Sequence, residues 1–256
     1  MLGPHHWFTA NSSQELAWSL EYQGDFAGAR PLHERAVAIY ENAFGPEHRR
    51  TAVTLTGLAS CRAAEGDPTG ARVLYERALT IFERTLDRQN LGTANCLNGL
   101  ARLLHHQGDL VGAQSFCERA LGIHEKLLGP SHRVTAQSLS ILADLLRDRG
   151  DFLGSHRCYE RALTTFERIS AEHPEANRVR CNFARLLVSA GSAAEALALG
   201  ETALASHEKS FGKKHRWTRD SARSTADCLA ALGRAEEARV LRNSYGCEPD
   251  APRTPQ

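Results

Sequence analysis

Apolar residues recur along this chain at the spacing of one helix face and are interrupted at regular intervals by glycine. In the segment 97–123, one apolar stripe precedes the pair Gly108-Asp109 and a second stripe follows it. Spacings of three and four residues place such side chains on one side of an α-helix. Glycine suits the left-handed residue that ends a helix, and aspartate or serine caps the next one. The pattern predicts two helices joined by a tight turn, with stripes formed by Leu97, Leu100, Ala101 and Leu104 and by Ala113, Phe116, Cys117, Ala120 and Leu121.

The same pattern returns with a nearly fixed period along the chain. The turn glycines lie 42 residues apart except for one step of 41, at Gly24, Gly66, Gly108, Gly150, Gly191 and Gly233. A period of this length is typical of a solenoid, in which each unit buries its apolar face against its neighbours. Each unit is predicted to contain two helices of roughly 15–18 residues, about 25 Å long.

Small residues occupy fixed positions around each turn glycine. Alanine lies seven residues before it in every unit, and alanine or serine lies five residues after it. Alanine also lies twelve residues after it, except in the last unit, where Tyr245 stands there. Small side chains let two helices approach closely, and larger ones would cost about 1–3 kcal/mol each by overpacking. We therefore expect these alanines to lie at helix–helix contacts.

The junction between units is repeated as well. The segment "LLGPSHRVTA" (127–136) parallels "FGPEHRRTA" (44–52) and the opening "MLGPHHWFTA" (1–10). With the alanines and the "ERAL" segments, these junctions resemble the tetratricopeptide repeat, and the 42-residue period resembles its kinesin light chain type. The resemblance implies an all-α fold, a right-handed α-solenoid (superhelix) of about six antiparallel helix pairs. It also implies that the first helix of each pair lines a concave groove.

The resemblance covers almost the whole chain. It predicts a repeat array over 1–244 and leaves 245–256 as a tail that we expect to be disordered. Because the chain begins on a junction, we expect a preceding helix to be missing and the first repeat to fray or to pair with another chain. Trp7 and Phe8 would then form an assembly face. The predicted repeats are approximately 5–45, 47–87, 89–129, 131–171, 173–212 and 214–244.

Composition narrows the function classes. A net charge of +1 gives no overall basic field, so nucleic-acid binding is not expected. No apolar run approaches the roughly 18 residues of a transmembrane helix, so no membrane partner is expected. There is no C-x-x-C pair, and four of the seven cysteines occupy apolar helical positions, which favours reduced thiols in a cytoplasmic protein. These four are Cys96, Cys117, Cys158 and Cys181.

The histidines at the junctions were the candidates for metal binding. Equivalent residues of neighbouring repeats should be separated by roughly 10 Å, which is too far to share an ion. We therefore expect each histidine to hydrogen-bond within its own turn, and Asn90 to do the same by donating to a carbonyl. Phosphate-loop, H-E-x-x-H and G-x-S-x-G motifs are absent, so no enzyme, cofactor or metal centre is predicted. The junction histidines are His6, His48, His132, His173 and His215.

The polar face of each first helix is the predicted binding surface. Amides pair with both N–H and C=O of an extended peptide, and arginine pairs with carboxylates. Trp18 and Tyr22, one helical turn apart, form either a core pair or a ligand platform. In the kinesin light chain type, successive inner helices present asparagines to cargo; Asn98 and Asn182 match this in part. The candidate peptide contacts are Trp18, Asn95, Asn98, Arg102, Arg147, Asn182 and Arg185, and Gln14 lies on the same predicted face.

Two functions follow from the sequence. The first is a non-catalytic protein-interaction scaffold that binds an extended peptide, possibly acidic, or a partner helix in its groove. The alternative is a regulatory or oligomerisation segment of a larger signalling protein. It would work through Trp7 and Phe8, with homodimerisation through the first repeat as one form.

Overall fold

The computed structural model describes residues 6–85, 89–170 and 173–247. In these ranges the secondary structure is entirely helical, and no strand occurs. The helices come in pairs around the turn glycines, as predicted. They are α1 (Trp7–Gln23), α2 (Phe26–Phe44), α3 (Arg49–Ala64), α4 (Pro68–Thr85), α5 (Leu91–His106), α6 (Leu110–Leu128), α7 (Arg133–Asp148), α8 (Phe152–Ile169), α9 (Pro174–Ser189), α10 (Ala193–Phe211), α11 (Arg216–Ala231) and α12 (Ala235–Tyr245).

The chain divides into two compact units, Met1–Pro130 with α1–α6 and Ser131–Gln256 with α7–α12. Within the first unit, α1 packs on α2, α3 on α4 and α5 on α6, while α2 contacts α3 and α4 contacts α5. The first helices of the pairs also touch in the order α1, α3, α5. The second unit repeats this scheme, with α7, α9 and α11 as first helices. Within each unit, each pair therefore contacts its neighbours along the sequence, which is the contact scheme of a repeat protein.

The turn after α1 shows how a pair is made. Gly24 has φ +83°, and its N–H donates to the Glu21 carbonyl at 2.9 Å. The N–H of Asp25 donates to the Leu20 carbonyl at 2.9 Å, and the Asp25 carboxylate accepts from the N–H of Gly28 at 2.9 Å. Only glycine adopts this φ without strain, and the carboxylate satisfies an N–H at the start of α2.

Aspartate caps the second helix in the same way at three later turns, at Asp67, Asp109 and Asp151. The prediction is wrong for Ser192, whose side chain makes no capping hydrogen bond among the described residues. Its backbone also differs, with ψ 49° against 75° at Asp25, and α10 begins without a side-chain cap.

The small residues form the contacts between helices, as expected. Every alanine at the three fixed positions is completely buried, and so is Ser155. The Ser155 hydroxyl donates to the Ala143 carbonyl at 2.8 Å, which removes the cost of burying it. The buried alanines are Ala17, Ala59, Ala101, Ala143, Ala184 and Ala226; Ala29, Ala71, Ala113, Ala196 and Ala238; and Ala36, Ala78, Ala120, Ala162 and Ala203.

The cysteines and the C-terminal end differ in detail from expectation. All seven cysteines are free thiols, and six are buried, whereas Cys158 is only half-buried. The predicted tail begins too early, because α12 continues to Tyr245 and Cys247 is buried against Leu204 and Ala222. The rest of the predicted tail, 248–256, lies outside the described residues. Within the described ranges, no helix combines the length and the apolar character that crossing a bilayer requires.

Candidate functional site

The junction histidines are helix caps. In each of the five, Nδ1 accepts a hydrogen bond from the backbone N–H two residues on, at 3.2 Å. Asn90 takes the same role, its side-chain oxygen accepting from the N–H of Thr93 at 2.9 Å. The prediction that each residue orders its own junction is confirmed. The Asn90 side chain also donates, and the acceptor is the Thr93 hydroxyl at 2.9 Å, whereas the prediction named a carbonyl. The histidine and asparagine side chains accept because the first N–H groups of a helix have no partner within the helix.

The position six residues before the turn glycine forms a row on the first helices of the first unit. It carries Trp18 on α1, Ser60 on α3 and Arg102 on α5, and these helices pack side by side. Trp18 is 41% exposed and Arg102 is exposed. Asn95 is exposed on the same face of α5, two turns before Arg102, and Asn98 is half-buried. The structure therefore leaves an indole and a guanidinium accessible on helices that belong to one layer.

Two expectations for α1 are corrected. Gln14 is buried, and its side-chain oxygen accepts from the hydroxyl of buried Tyr40 at 3.4 Å, so it does not belong to an open surface. The alternative that Trp18 and Tyr22 form a core pair is wrong, because their exposed fractions are 41% and 45%. Sequence spacing placed Gln14 on the polar face, but Tyr40 lies on another helix and no local pattern reveals the pairing.

Tyr75 of α4 supports the middle of this row. Its ring is buried, and its hydroxyl lies 2.8 Å from the Ser60 oxygen. Burial raises the pKa of Tyr75, while the hydrogen bond to Ser60 and the charge of Arg102 act in the opposite direction. The ring lies against Gly99 on the next first helix, where no side chain intervenes. A second-helix residue thus reaches through to the surface formed by α3 and α5.

In the second unit, the candidates Arg147, Asn182 and Arg185 belong to one polar network centred on Asp144. The Asp144 carboxylate accepts from the Tyr159 hydroxyl at 2.5 Å, from Asn182 at 3.2 Å and from Arg147 at 3.3 Å. Arg185 in turn donates to the Asn182 side-chain oxygen at 3.3 Å. The network joins α7, α8 and α9. It holds the amide and guanidinium groups in fixed positions on a half-buried surface.

The charges of this network are balanced internally. Burial alone would lower the pKa of Arg147, but Tyr159, Asp144 and Asp148 outweigh it and raise that pKa. Burial, followed by the charge of Asp144, raises the pKa of Tyr159 well above its usual value. Arg147 is therefore a permanent cation that Asp144 and Asp148 already neutralise. Sequence reasoning found the arginine and the asparagine but missed Tyr159, which lies on a second helix.

The predicted assembly residues differ in their environments. Trp7 packs against its own chain: it stacks on Phe8 with ring centroids 3.9 Å apart, and Arg50 lies 5.1 Å above its ring. It also covers a small cluster that includes Tyr40 and Ile39. Phe8 is 50% exposed. Of the two, Phe8 alone presents a largely accessible ring.

Three residues that the sequence did not bring together meet inside the first unit. Glu21 of α1, His33 of α2 and Cys61 of α3 each offer one ligand atom, and these atoms lie within 4.8 Å of one another. His33 and Cys61 are completely buried, and Glu21 is partly buried. The one available signal is positional: His33 occupies the position that Tyr75 and Tyr159 occupy in two later repeats.

Comparison with known proteins places the chain. The tetratricopeptide repeat profile matches residues 8–84, 50–111, 92–168 and 175–241. No curated protein sequence matches the chain. Among solved structures, a Podosopora anserina protein described as kinesin light chain nearly identical TPR-like repeats is 25% identical, with a TM-score of 0.58 over 80% of this chain and 98% of that one.

Two further structures share the fold. BtubC (BKLC) from P. vanneervenii is 22% identical, with a TM-score of 0.64 over 98% of this chain and 95% of that one. Aspartyl phosphate phosphatase F from Bacillus subtilis is 12% identical, with a TM-score of 0.69 over 94% of this chain and 59% of that one. At these identities the likeness concerns the fold alone. The predicted all-α repeat solenoid class is confirmed, and the chain belongs to the tetratricopeptide repeat family.

Proposed function

We propose that this chain is a non-catalytic scaffold that binds an extended, acidic peptide along the exposed faces of its first helices. Tetratricopeptide repeats are generally protein–protein interaction scaffolds, and the family and fold are typically non-catalytic. The observation that carries the proposal is the row Trp18, Ser60 and Arg102 on the packed helices α1, α3 and α5. It offers an aromatic face, a hydroxyl and a guanidinium in succession.

The spacing of this row suggests what the peptide should look like. Packed helices lie about 8–10 Å apart, so Trp18 and Arg102 are separated by about 20 Å across α3. An extended chain advances about 3.3 Å per residue, so about six peptide residues span that distance. A ligand with an apolar or aromatic side chain about six residues from an acidic one would place one on Trp18 and the other on Arg102. Asn95 and Asn98 lie on the same helix as Arg102 and would bind the peptide backbone where it reaches α5.

The second unit offers a different kind of surface. Arg147 is neutralised by Asp144 and Asp148, so its role in the proposal is to hold the network rather than to bind an acidic ligand. Asn182 and Arg185 are the proposed contacts there, held in place before any ligand arrives. Fixing side chains in advance reduces the entropy lost on binding.

Other properties support a non-catalytic role. Burial raises the pKa of the Cys96 thiol to about 12 and that of Cys228 to about 11, which leaves these thiols protonated and poor nucleophiles. A hollow of about 100 Å³ among α4, α5 and α6, lined in part by Leu79 and Phe116, is far below the roughly 300–1,000 Å³ of ordinary ligand pockets. A net charge of +1 gives little attraction to nucleic acid.

The proposal is tested with synthetic peptides. A fluorescent peptide that places tryptophan and glutamate six residues apart should bind the wild-type chain, and one that places them two residues apart should bind at least tenfold more weakly. Arg102→Glu should weaken binding of the first peptide by tenfold or more. Arg72→Glu is the matched control, because Arg72 is an exposed arginine paired with Glu76 on the second helix α4. Equal effects of both substitutions, measured by fluorescence anisotropy, would contradict the groove-face proposal.

The alternative proposal, assembly through the first repeat, is favoured by the exposure of Phe8. Sedimentation equilibrium over a wide concentration range tests it directly. A dimer that Phe8→Asp abolishes and Arg102→Glu leaves intact would favour the assembly proposal over the peptide-binding proposal. A monomer at every concentration would contradict the assembly proposal. Phe8 is a better choice for substitution than Trp7, because Trp7 also packs against its own chain.

A further inference from the structure

Three side chains with different ligand atoms meet where α1, α2 and α3 pack together. Nε2 of His33 lies 2.5 Å from Oε1 of Glu21, and Sγ of Cys61 lies 3.6 Å from the same oxygen. The His33 side chain is completely buried, while that of Glu21 keeps 20% of its exposure. Cys61 packs among Ala17, Ala29 and neighbouring apolar side chains. A nitrogen, an oxygen and a sulfur atom therefore face one another at the edge of an apolar core.

The arrangement leaves a buried polar atom unsatisfied. Nδ1 of His33 has no hydrogen-bond partner among the described residues. Among the described residues, the contact between Nε2 and Glu21 therefore orients the ring, and a metal ion on Nε2 would take over that role.

Gly57 of α3 makes room for the imidazole. A Cβ at Gly57 would lie 2.5 Å from Cε1 and 2.7 Å from Nε2 of His33, closer than atoms can approach. Glycine in a helix interior costs about 1 kcal/mol relative to alanine. Helix α3 thus carries glycine, a poor helix former, at the point where the His33 ring packs against it and directs Nε2 towards Glu21.

We propose that Glu21, His33 and Cys61 bind a divalent transition-metal cation, with Zn²⁺ the best match, and that water completes the site from the exposed side of Glu21. Zinc takes nitrogen, sulfur and oxygen ligands at about 2.0–2.3 Å in a tetrahedral arrangement. Such ligands lie about 3.3–3.7 Å from one another, and the Sγ–Oε1 separation of 3.6 Å already matches this range. The Glu21 carboxylate must move about 1 Å from His33 to reach that spacing, and its partly exposed position allows the movement.

Charge balance favours a dication. A carboxylate and a thiolate carry two negative charges, a neutral imidazole carries none, and Zn²⁺ makes the buried site neutral. Without the ion, burial and the nearby charge of Glu21 raise the pKa of the Cys61 thiol, so sulfur keeps its proton. Metal binding releases the proton of the Cys61 thiol and shifts the imidazole proton from Nε2 to Nδ1, so the ring stays neutral and affinity should rise with pH. A protonated thiol whose hydrogen bond goes to a carboxylate also argues against Cys61 as a nucleophile.

The test uses the full chain without an affinity tag, kept reduced with a phosphine. Zn²⁺ is titrated against a coloured chelator, and Co²⁺ is added separately as a spectroscopic probe. We expect one equivalent of Zn²⁺ per chain, an apparent Kd below 1 µM on the scale of ordinary protein sites, and a thiolate-to-cobalt charge-transfer band. Cys61→Ser and His33→Gln should each weaken binding by at least tenfold. Cys96→Ser is the matched control, since Cys96 is also buried but bonds to Thr56.

Glu21→Gln gives a second variant in case changes at the buried positions prevent folding, because Glu21 is partly exposed and its amide keeps the shape of the side chain. It should weaken Zn²⁺ binding while circular dichroism shows an unchanged helix content. The proposal is overturned if the wild-type chain binds no stoichiometric Zn²⁺, or if the cobalt complex lacks the thiolate band. It is also overturned if Glu21→Gln and Cys96→Ser behave alike.

Discussion

Replacing Gly99 by alanine should destabilise this chain, although alanine is the better helix former. Gly99 lies in the middle of α5, where the helix alone would favour alanine by about 1 kcal/mol. A Cβ at Gly99 would lie 2.4 Å from Cε1 and Cζ of Tyr75. Tyr75 is 4% exposed, and its hydroxyl is bonded to Ser60, so the ring has little freedom to withdraw.

The magnitude follows from two opposing effects. Overpacking of this kind costs about 1–3 kcal/mol. Subtracting the gain in helix propensity of about 1 kcal/mol leaves an expected net loss of about 1 kcal/mol, with a range of about 0–2 kcal/mol. Urea denaturation followed by far-UV circular dichroism measures this difference as a shift of the midpoint. In a Tyr75→Ala background, Gly99→Ala should lose most of its destabilising effect, because the two residues are in contact.

Gly122 provides the matched control. It lies in the interior of α6 and is exposed, and no other atom of the described residues lies within 4 Å of a Cβ built there, beyond its own chain neighbours and helix backbone. Gly122→Ala should therefore stabilise the chain by about 0.5–1 kcal/mol. Opposite signs at two helical glycines would show that contact with Tyr75 decides the outcome. A stabilising Gly99→Ala would refute the packing argument.

Three further predictions concern the caps and the polar network. His132→Ala should lower the free energy of unfolding by about 1 kcal/mol. His132→Asn should keep most of the cap's stabilisation, because Asn90 caps its own helix in the same way. Urea denaturation midpoints measure both effects. Burial lowers the pKa of His48 and His173, and protonation would remove the Nδ1 acceptor of each cap. Their stabilisation is therefore present above about pH 6.5 and lost as pH falls below it, and His→Asn at both positions should flatten this part of the stability profile between pH 7.5 and 5.5. Asp144→Ala should destabilise the chain by about 2–3 kcal/mol, because the groups that donate to Asp144 lose their acceptor, and Asp144→Asn should cost less. A loss below about 0.5 kcal/mol for Asp144→Ala in urea denaturation would contradict the importance of the network.

The repeat architecture could be predicted because its signals are local and recur in phase. Turn glycines, capping aspartates and alanines at fixed offsets each act within a few residues, and six copies make a chance pattern implausible. The burial of Ala59 or Ala143 follows from the period alone. The failed cap at Ser192 shows the limit of this reasoning, because a capping residue at the right position does not by itself ensure the backbone geometry that closes the cap.

The polar contacts could not be predicted because they join residues from different helices. The sequence pattern predicts Gln14 on the surface, but in the structure Tyr40, 26 positions away, hydrogen-bonds to it. Tyr159 reads as core until its hydroxyl is seen to bond to Asp144. The candidate peptide contacts were therefore identified by type and face, whereas their availability depended on partners that a helical pattern does not specify.

The buried alanines also have an evolutionary consequence. Ala17, Ala59 and Ala101 are equally buried at equivalent places, so this part of the helix packing is the same in successive repeats. Unequal recombination that adds or deletes 42 codons in phase would preserve these alanine contacts. An insertion of another length would instead set alanines against larger side chains. New binding specificities could arise through the exchange of first-helix surface residues on a scaffold whose joints stay the same.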